Sequence, residues 1–278
     1  MMAIDSHQHF WKFNQERDSW MTPGIMENIR RDFLPDDLKP ILDQLGIEGT
    51  IAVQADQSRE ETDFLLELAS DYPWIKGVVG WVDFRSPDIR EQLQEYRSDH
   101  KLVGFRHILQ SEAVSLMADT DFLYGIDQLA GLNFTYDLLI YWHQLEAAID
   151  FVAQFPDLPI VLDHVGKPDI KDGRILKWSK GMAQLAEMPN VYCKVSGMVT
   201  EAHWLYWQEE DFLPYFDQTF ELFGVDRCMF GSDWPVCTLA STYEQWFSTV
   251  QTYMARFSDS EQKAFFNTNC HRFYGFDS

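Results

Sequence analysis

The sequence contains polar residues of the types that activate water or bind a metal ion. His7 and His9 follow a short apolar run near the N-terminus, and residues 163–164 (Asp-His) and 232–233 (Ser-Asp) follow two later apolar runs. Imidazole and carboxylate groups act as general acids and bases near neutral pH, and both groups bind zinc. These residues indicate an enzyme or a metal site, provided that the fold brings them together.

The spacing of these residues predicts that their side chains face the same way. Alternate side chains of a strand share one face, so the two histidines of the HxH pair point in the same direction. Side chains that face inward at the end of a barrel strand point into the mouth of the barrel. We therefore predict that four residues converge there: His7, His9, His164 and Asp233.

Other predicted strands also end in polar residues, which argues against a chance occurrence of polar residues at the strand ends. These residues are Gln54 and Asp56, Asp83, Arg106 and His107, Tyr136 and Asp137, and Lys194. Arg106 and His107 are neighbours with opposite parity, so only one of them is expected to point into the mouth unless the strand has already ended. Arg106 and Lys194 are interpreted as substrate contacts, with buried ion pairs as the alternative.

Short apolar runs alternate with helical patterns along the whole chain. The predicted strands are residues 2–5, 49–53, 77–82, 102–105, 134–138, 159–162, 191–195 and 227–230. The predicted helices are residues 36–45, one opened by Ser58 and Glu61, 145–155, 183–188, and one opened by Ser258 and Glu261 that reaches Phe273. Eight strands with intervening helices predict the α/β class and a (β/α)₈ TIM barrel. A doubly wound sheet is less favoured, because no glycine-rich phosphate loop follows the first strand.

The length of 278 residues suits one barrel domain over residues 1–278, since such barrels typically have about 250 residues. Residues 10–35 form an interval too long for a simple connection, and they include several aromatic residues. Loops of this length are usually functional, so we predict that this loop covers the barrel mouth. A loop that serves only packing is the alternative.

The composition restricts the classes of partner. The formal net charge is −22, from 44 acidic and 22 basic residues, which disfavours nucleic acid and anionic membrane surfaces. The four cysteines form no CxxC pair, and neither a signal peptide nor a membrane-spanning run is apparent. We therefore expect a cytoplasmic protein with free thiols and a small-molecule substrate, and homo-oligomers remain open.

Five motifs together resemble the amidohydrolase superfamily. They are DSHQHFW at 5–11, GFRH at 104–107, DH at 163–164, KVSG at 194–197 and GSDWPVC at 231–237. In that superfamily a first-strand HxH, a sixth-strand His and an eighth-strand Asp surround the reacting centre. The combination is similar to the sugar-lactonase branch, which includes L-fuconolactone and L-rhamnonolactone hydrolases and is related to 2-pyrone-4,6-dicarboxylate lactonase. The resemblance implies a carboxylic ester hydrolase that opens a sugar lactone, with an L-fuconolactone-like substrate favoured.

The resemblance departs from the members that bind two metal ions. Those members carry a Lys or Glu on strand four and a His on strand five, where this chain has Arg106-His107 and Tyr136-Asp137. The related pyrone-dicarboxylate and fuconolactone hydrolases work without a divalent metal, which implies that no cofactor is required here. The alternative is a single zinc ion held by His7, His9 and Asp233, with or without His164.

The expected reaction is attack of water on a lactone carbonyl. Asp233 acts as the general base, and His7, His9 and His164 donate toward the developing oxyanion. The residues expected to bind substrate are Arg106, His107, Lys194, Trp11, Tyr136 and Asp83. Three alternatives stay open: a metal-bound hydroxide, a metal-dependent decarboxylase of an aromatic or muconate-type acid on the same barrel, and a non-catalytic binding protein.

Overall fold

The computed structural model describes residues 3–276, which contain one sheet of eight parallel strands in chain order. The strands are β1 (Ala3–Gln8), β2 (Ile47–Val53), β3 (Ile75–Gly80), β4 (Leu102–His107), β5 (Thr135–Leu138), β6 (Ile160–Leu162), β7 (Val191–Val195) and β8 (Cys228–Phe230). Each strand pairs in parallel with the next one along the chain. All the strands therefore end at the same edge of the sheet.

The sheet curls until its first and last strands meet. The Ser6 hydroxyl donates to the Phe230 carbonyl at 2.7 Å, and the Asp233 amide donates to the His7 carbonyl at 2.8 Å. A third bond, from the His9 amide to the Trp234 carbonyl at 2.7 Å, extends the contact past the strand ends. The predicted (β/α)₈ barrel is confirmed, and its closure joins the residues of the HxH motif to those of the GSDWPVC motif.

Helices connect the strands and surround the barrel. They are α1 (Pro35–Leu45), α2 (Arg59–Asp71), α3 (Ile89–Tyr96), α4 (Thr120–Ala130), α5 (Leu145–Val152), α6 (Ile175–Ala186), α7 (Leu213–Phe223), α8 (Tyr243–Met254), α9 (Asp259–Lys263) and α10 (Asn269–Tyr274). Ser58 accepts from the Glu61 amide at the start of α2, and Ser258 forms a complete capping box with Glu261 before α9. Within residues 3–276, no helix combines the length and the apolar character needed to cross a membrane.

The observed elements differ from the predicted ones at their ends, and α3, α4, α7 and α8 lie in segments between predicted strands for which no helix bounds were predicted. The predicted strand at 191–195 coincides with β7, and β1 and β4 continue further, through the polar residues up to Gln8 and His107. These polar residues stay in the strands because the barrel interior supplies their partners. Helix α6 begins well before residue 183, and a π-helical turn over Ala264–Thr268 divides the predicted last helix. Met2, predicted to start the first strand, lies outside the described residues.

Alternate strand residues fill the barrel below the site. Ile4, Val53, Val79 and Val161 belong to a buried apolar cluster that also includes Phe273 of α10. Asp163 has the same parity as Val161 of this cluster, whereas His7 has the opposite parity to Ile4, and the pairing of β1 with β2 shifts register between Asp5 and Gln8. Simple alternation therefore accounts for the direction of Asp163 but not for that of His7.

Candidate active site

The ends of β1, β6 and β8 bring the four predicted convergent residues together. The nearest Asp233 carboxylate oxygen lies 3.3 Å from His9 Nε2, 3.8 Å from His164 Nε2 and 4.0 Å from His7 Nε2. All four side chains are buried. The geometry is thus one carboxylate facing three imidazole rings, and the four residues converge as predicted.

The backbone at two of these residues has the left-handed conformation. His164 has φ of 54° and Asp233 has φ of 58°, and Val165 and Lys167 beside them also have positive φ. Such conformations are uncommon for residues other than glycine and tend to occur at functional sites. They turn the two side chains back over the barrel mouth immediately after β6 and β8.

His9 and His7 have different partners at their ring nitrogens. His9 Nδ1 lies 2.7 Å from the Val53 carbonyl, and its Nε2 lies 3.3 Å from an Asp233 oxygen. His7 Nδ1 lies 3.1 Å from an Asp163 oxygen and 3.1 Å from Lys194 Nζ, and its Nε2 accepts from Arg106 Nη1 at 3.2 Å. Burial lowers the pKa of His7 well below its usual value, so His7 is neutral.

His164 presents its Nε2 to the same carboxylate. Its Nδ1 lies 2.9 Å from the Ser196 hydroxyl, and burial lowers its pKa well below the usual value. If Ser196 donates to Nδ1, the neutral ring carries its proton on Nε2, which avoids a lone pair facing Asp233. Burial by itself would raise the pKa of Asp233, but His164 and His9 outweigh it, so the pKa of Asp233 is lowered and the group is a carboxylate.

Beneath these residues lies a buried network of charges. Asp163 contacts Lys194 Nζ at 3.1 Å and Arg106 Nη1 at 3.2 Å, and Lys194 also donates to Asp137. The Tyr274 hydroxyl donates to Asp137 at 2.9 Å. Burial disfavours the ammonium form, but the two carboxylates outweigh it and raise the pKa of Lys194, so the group stays charged. Lys194 thus forms the buried ion pairs that were the alternative to substrate contact.

A cavity of about 190 Å³ opens above the carboxylate. It is lined by His9, Trp20, Ala55, Arg106, Ile108, Gln110, Ser111, Leu139, His164, Lys167, Asp233 and Val236. An engineered cavity of roughly 150 Å³ accommodates one benzene ring, so this volume suits a single small ring. Arg106 is the member of its pair that reaches the cavity. His107 instead accepts from Trp81 Nε1 at 3.2 Å and lies 3.4 Å from Glu112.

Like His107, four other residues that were predicted to bind substrate do not line this cavity. Lys194 is fully buried in the charge network, and Asp83 is half exposed near Arg85. Tyr136 packs against Phe84 and Phe151, because its neighbour Asp137 takes the inward-facing position on β5. Trp11 is also in the core, where its Nε1 donates to the Arg31 carbonyl at 2.8 Å.

Several lining residues were not predicted from the sequence. Trp20 comes from the loop at 10–35, and Gln110 and Lys167 lie on the loops that follow β4 and β6. Barrel sites are built from the loops that follow the strands. A search a few residues beyond each predicted strand would therefore have found Gln110 and Lys167. Nothing local distinguishes Trp20 from Trp11, since their positions depend on how the loop folds.

The donor atoms at the site fit a divalent metal ion. His7, His164 and Asp233 each offer a ligand atom, all within 4.8 Å of one another. Imidazole nitrogens and a carboxylate oxygen form a donor set that zinc prefers. An ion there would replace the Arg106 hydrogen bond to His7 Nε2. A second cluster, His7 with Asp137 and Asp163, fits poorly because the Lys194 ammonium contacts all three residues.

Comparisons with known proteins cover nearly the whole chain. Residues 4–276 match the amidohydrolase family model. The chain is 40% identical over 285 residues to an L-fucono-1,5-lactonase of Burkholderia multivorans, covering 98% of this chain and 96% of that protein. A crystal structure of an amidohydrolase from Burkholderia multivorans with bound zinc has a TM-score of 0.96 at 39% identity, covering 100% of both chains. A structure from Acinetobacter baumannii, named for 2-pyrone-4,6-dicarboxylic acid hydrolysis, shares the fold with a TM-score of 0.81 at 18% identity, covering 99% of this chain and 100% of that one.

Proposed function

We propose that this chain, which belongs to the amidohydrolase family, is a lactonase that opens an L-fuconolactone-like sugar lactone. The observation that carries the proposal is the Asp233 carboxylate at the base of a ring-sized cavity, within 4.0 Å of three histidines. The 40% identity to an L-fucono-1,5-lactonase over nearly the full length supports the same substrate class.

Asp233 acts as the general base. Its lowered pKa keeps it ionised at neutral pH, so it takes a proton from a water molecule as that oxygen attacks the lactone carbonyl carbon. When the tetrahedral intermediate collapses, the bond between the carbonyl carbon and the ring oxygen breaks. The protonated Asp233 then gives its proton to the departing alkoxide, and the product is a hydroxy acid that ionises in solution.

His9 and His164 stabilise the negative charge on the carbonyl oxygen, together with Arg106. These three side chains line the cavity; Arg106 supplies positive charge there, and His164 Nε2 would carry the proton that is donated. Preorganised donors in a site without bulk water are usually the largest single contribution to acyl transfer. His7 does not line the cavity, and we assign it to orienting Arg106, to which its Nε2 is bonded at 3.2 Å. This role differs from the direct donation expected from the sequence.

The substrate is small and uncharged, and it binds at the mouth of the barrel. The lining combines apolar side chains such as Leu139 and Val236 with polar ones, which suits a ring that has both hydroxyl groups and apolar carbons. Trp20 contributes from the loop at 10–35, and we propose that this loop covers the bound lactone. The four buried cysteine thiols are in keeping with a cytoplasmic location.

We further propose that the reaction requires no metal. The Arg106 guanidinium already brings positive charge to His7 Nε2, one of the three candidate ligand atoms. If an ion is bound, His7, His164 and Asp233 would hold it, and it would supply a Lewis acid that polarises the carbonyl. We expect turnover to persist after exhaustive chelation, with metal content measured in the same sample. Loss of activity that returns with zinc or manganese would overturn the metal-free route and leave the lactonase assignment intact.

The lactonase assignment is tested with a panel of aldonolactones and a pH indicator that follows acid release. Asp233→Asn nearly preserves the shape of the side chain but removes the base, so we expect kcat to fall by about 10²–10⁴-fold. Asp83→Asn is the matched control: it changes a half-exposed carboxylate outside the cavity and should leave kcat unchanged. Full activity of Asp233→Asn would show that another group activates the water. No turnover of any lactone by the wild-type protein would refute the proposed function.

A further inference from the structure

Ser196 is a buried serine directly after β7, and its hydroxyl group contacts the ring of His164. The Ser196 Oγ lies 2.9 Å from His164 Nδ1, and the residue has no accessible surface. Within residues 3–276, the structure shows no other hydrogen bond of this hydroxyl. Ser196 therefore holds one nitrogen of a ring whose other nitrogen faces the Asp233 carboxylate.

The hydroxyl hydrogen of Ser196 determines which nitrogen of His164 carries the ring proton. A serine hydroxyl has one hydrogen to donate, and buried donors in proteins nearly always have an acceptor. His164 Nδ1 is the acceptor that the structure offers, so the hydroxyl donates and Nδ1 carries a lone pair. The ring proton then lies on Nε2. The opposite tautomer would leave the Ser196 hydrogen buried without a partner.

The surroundings of His164 Nε2 favour the same tautomer independently. An Asp233 oxygen lies 3.8 Å from Nε2. A protonated Nε2 turns a positive hydrogen toward this carboxylate, whereas an unprotonated Nε2 would turn a lone pair toward it. Because His164 also lines the cavity, this tautomer places a donor where the proposed reaction needs one.

Close packing limits the freedom of both side chains. A Cβ atom added at Gly197 would lie 2.5 Å from His164 Nδ1, and one added at Gly231 would lie 2.9 Å from Ser196 Cβ. The two glycines thus allow the His164 ring and the Ser196 side chain to fit tightly at the ends of β7 and β8. The hydrogen bond between two such closely packed groups fixes the direction of the ring as well as the position of its proton.

Building on the proposed lactonase function, we infer that Ser196 is a positioning residue for His164. Its hydroxyl donates to Nδ1, which keeps the ring proton on Nε2 and holds the ring in place. The partner at one ring nitrogen sets the proton at the other in this way in many histidine sites. Ser196 does not touch the substrate in this role. It acts through His164, whose Nε2 hydrogen stabilises the negative charge on the lactone carbonyl oxygen.

The test is NMR of the histidine ring nitrogens in isotope-labelled protein, with His164→Gln used to assign the His164 signals. In the wild-type protein we expect a pyrrole-like shift for Nε2 and a pyridine-like shift for Nδ1, lowered by the hydrogen bond that it accepts. In Ser196→Ala, the Nδ1 shift should rise toward that of a pyridine-like nitrogen without a hydrogen bond. We expect kcat for lactone opening to fall about tenfold in this variant, as for loss of one hydrogen bond.

The matched control is Ser179→Ala. It removes a hydroxyl group on α6 that donates to Gln218 at 2.6 Å and lies outside the cavity lining. This variant also loses one serine hydrogen bond, but it should leave both His164 shifts and kcat at their wild-type values.

A pyrrole-like Nδ1 in the wild-type protein would overturn the inference, since Ser196 would then accept from His164. An unchanged Nδ1 shift in Ser196→Ala, or a kcat within about twofold of wild type, would also overturn it. If Ser196→Ala does not fold, the wild-type shifts decide. The shifts are measured without substrate, so they test the Ser196 hydrogen bond even if the wild-type protein opens no lactone. That result would instead refute the proposed function, and the positioning role in lactone opening would fail with it.

Discussion

Gly197, which follows β7, is predicted to hold the His164 ring in position through the absence of a side chain. A Cβ atom built at Gly197 would lie 2.5 Å from His164 Nδ1 and 2.6 Å from Cγ of the same ring. Gly197 also has φ of +60°, which disfavours any residue with a side chain. The substitution Gly197→Ala therefore combines a steric contact in the site with backbone strain, and the two effects must be separated.

The contact has the larger predicted effect on activity. Non-bonded atoms prefer separations of about 3.5 Å or more, so the His164 ring must move by roughly 1 Å to accommodate the methyl group. A displacement of this size in a catalytic group costs about 10²-fold in rate. The left-handed backbone adds roughly 1–2 kcal/mol of destabilisation. We expect kcat for lactone opening to fall about 100-fold while the protein remains folded.

The matched control is Gly46→Ala. Gly46 has φ of +68° and ends α1, but no heavy atom lies within 4 Å of its added Cβ. This variant should show a similar loss in the free energy of unfolding, measured by urea titration, with wild-type kcat. If Gly197→Ala retains kcat within about threefold of Gly46→Ala, the His164 ring is not held by this contact or does not contribute to the reaction.

Two further predictions concern stability. Burial raises the pKa of Glu61 from 4.5 to about 7, so its contribution is fully present below pH 4.5 and is lost as the pH rises through 7. Glu61→Gln should therefore stabilise the protein at pH 8 relative to wild type by up to about 3 kcal/mol, with little difference at pH 4.5. Urea unfolding at both pH values measures this, and an equal difference at the two would contradict it. Lys194→Met leaves Asp137 and Asp163 without their shared cation, so we expect a loss of about 3–5 kcal/mol at pH 7. The exposed control Lys180→Met should stay within about 0.5 kcal/mol of wild type, and a similarly small loss for Lys194→Met would contradict the ion-pair role.

The fold could be predicted because the barrel imposes periodic patterns that a sequence displays. Buried strands read as short apolar runs, and β7 was placed without error for this reason. The end of β1 was placed too early, because its last residues are polar and their partners come from distant parts of the chain. Asp163 and Arg106, the partners of His7, lie 156 and 99 residues away from it in the sequence. No local sequence pattern therefore predicts that the end of β1 stays buried.

The candidate site was predictable where strand parity sets the direction of a side chain. That rule places His7 and His9 on the same side of β1, whereas Asp233 lies beyond β8, where a left-handed backbone sets the direction of its side chain. On β5, alternation allows either Tyr136 or Asp137 to face inward. Asp137 faces inward, where it forms an ion pair with Lys194 of β7. Parity alone could not supply that long-range ion pair. The difference between Trp11 and Trp20 likewise depends on a loop whose conformation has no periodic pattern.

The buried charge network supports the proposal that Asp233, rather than a neighbouring acid, serves as the base. Asp163 and Asp137 are each engaged by buried cations, since Arg106 and Lys194 contact them directly. Two buried anions and two buried cations balance one another beneath the cavity. Asp233 has no Lys or Arg contact among the described ion pairs, only imidazole rings. Its lone pairs therefore remain available, and a proton taken from water can be held there and returned, whereas protonating Asp163 would break two buried ion pairs.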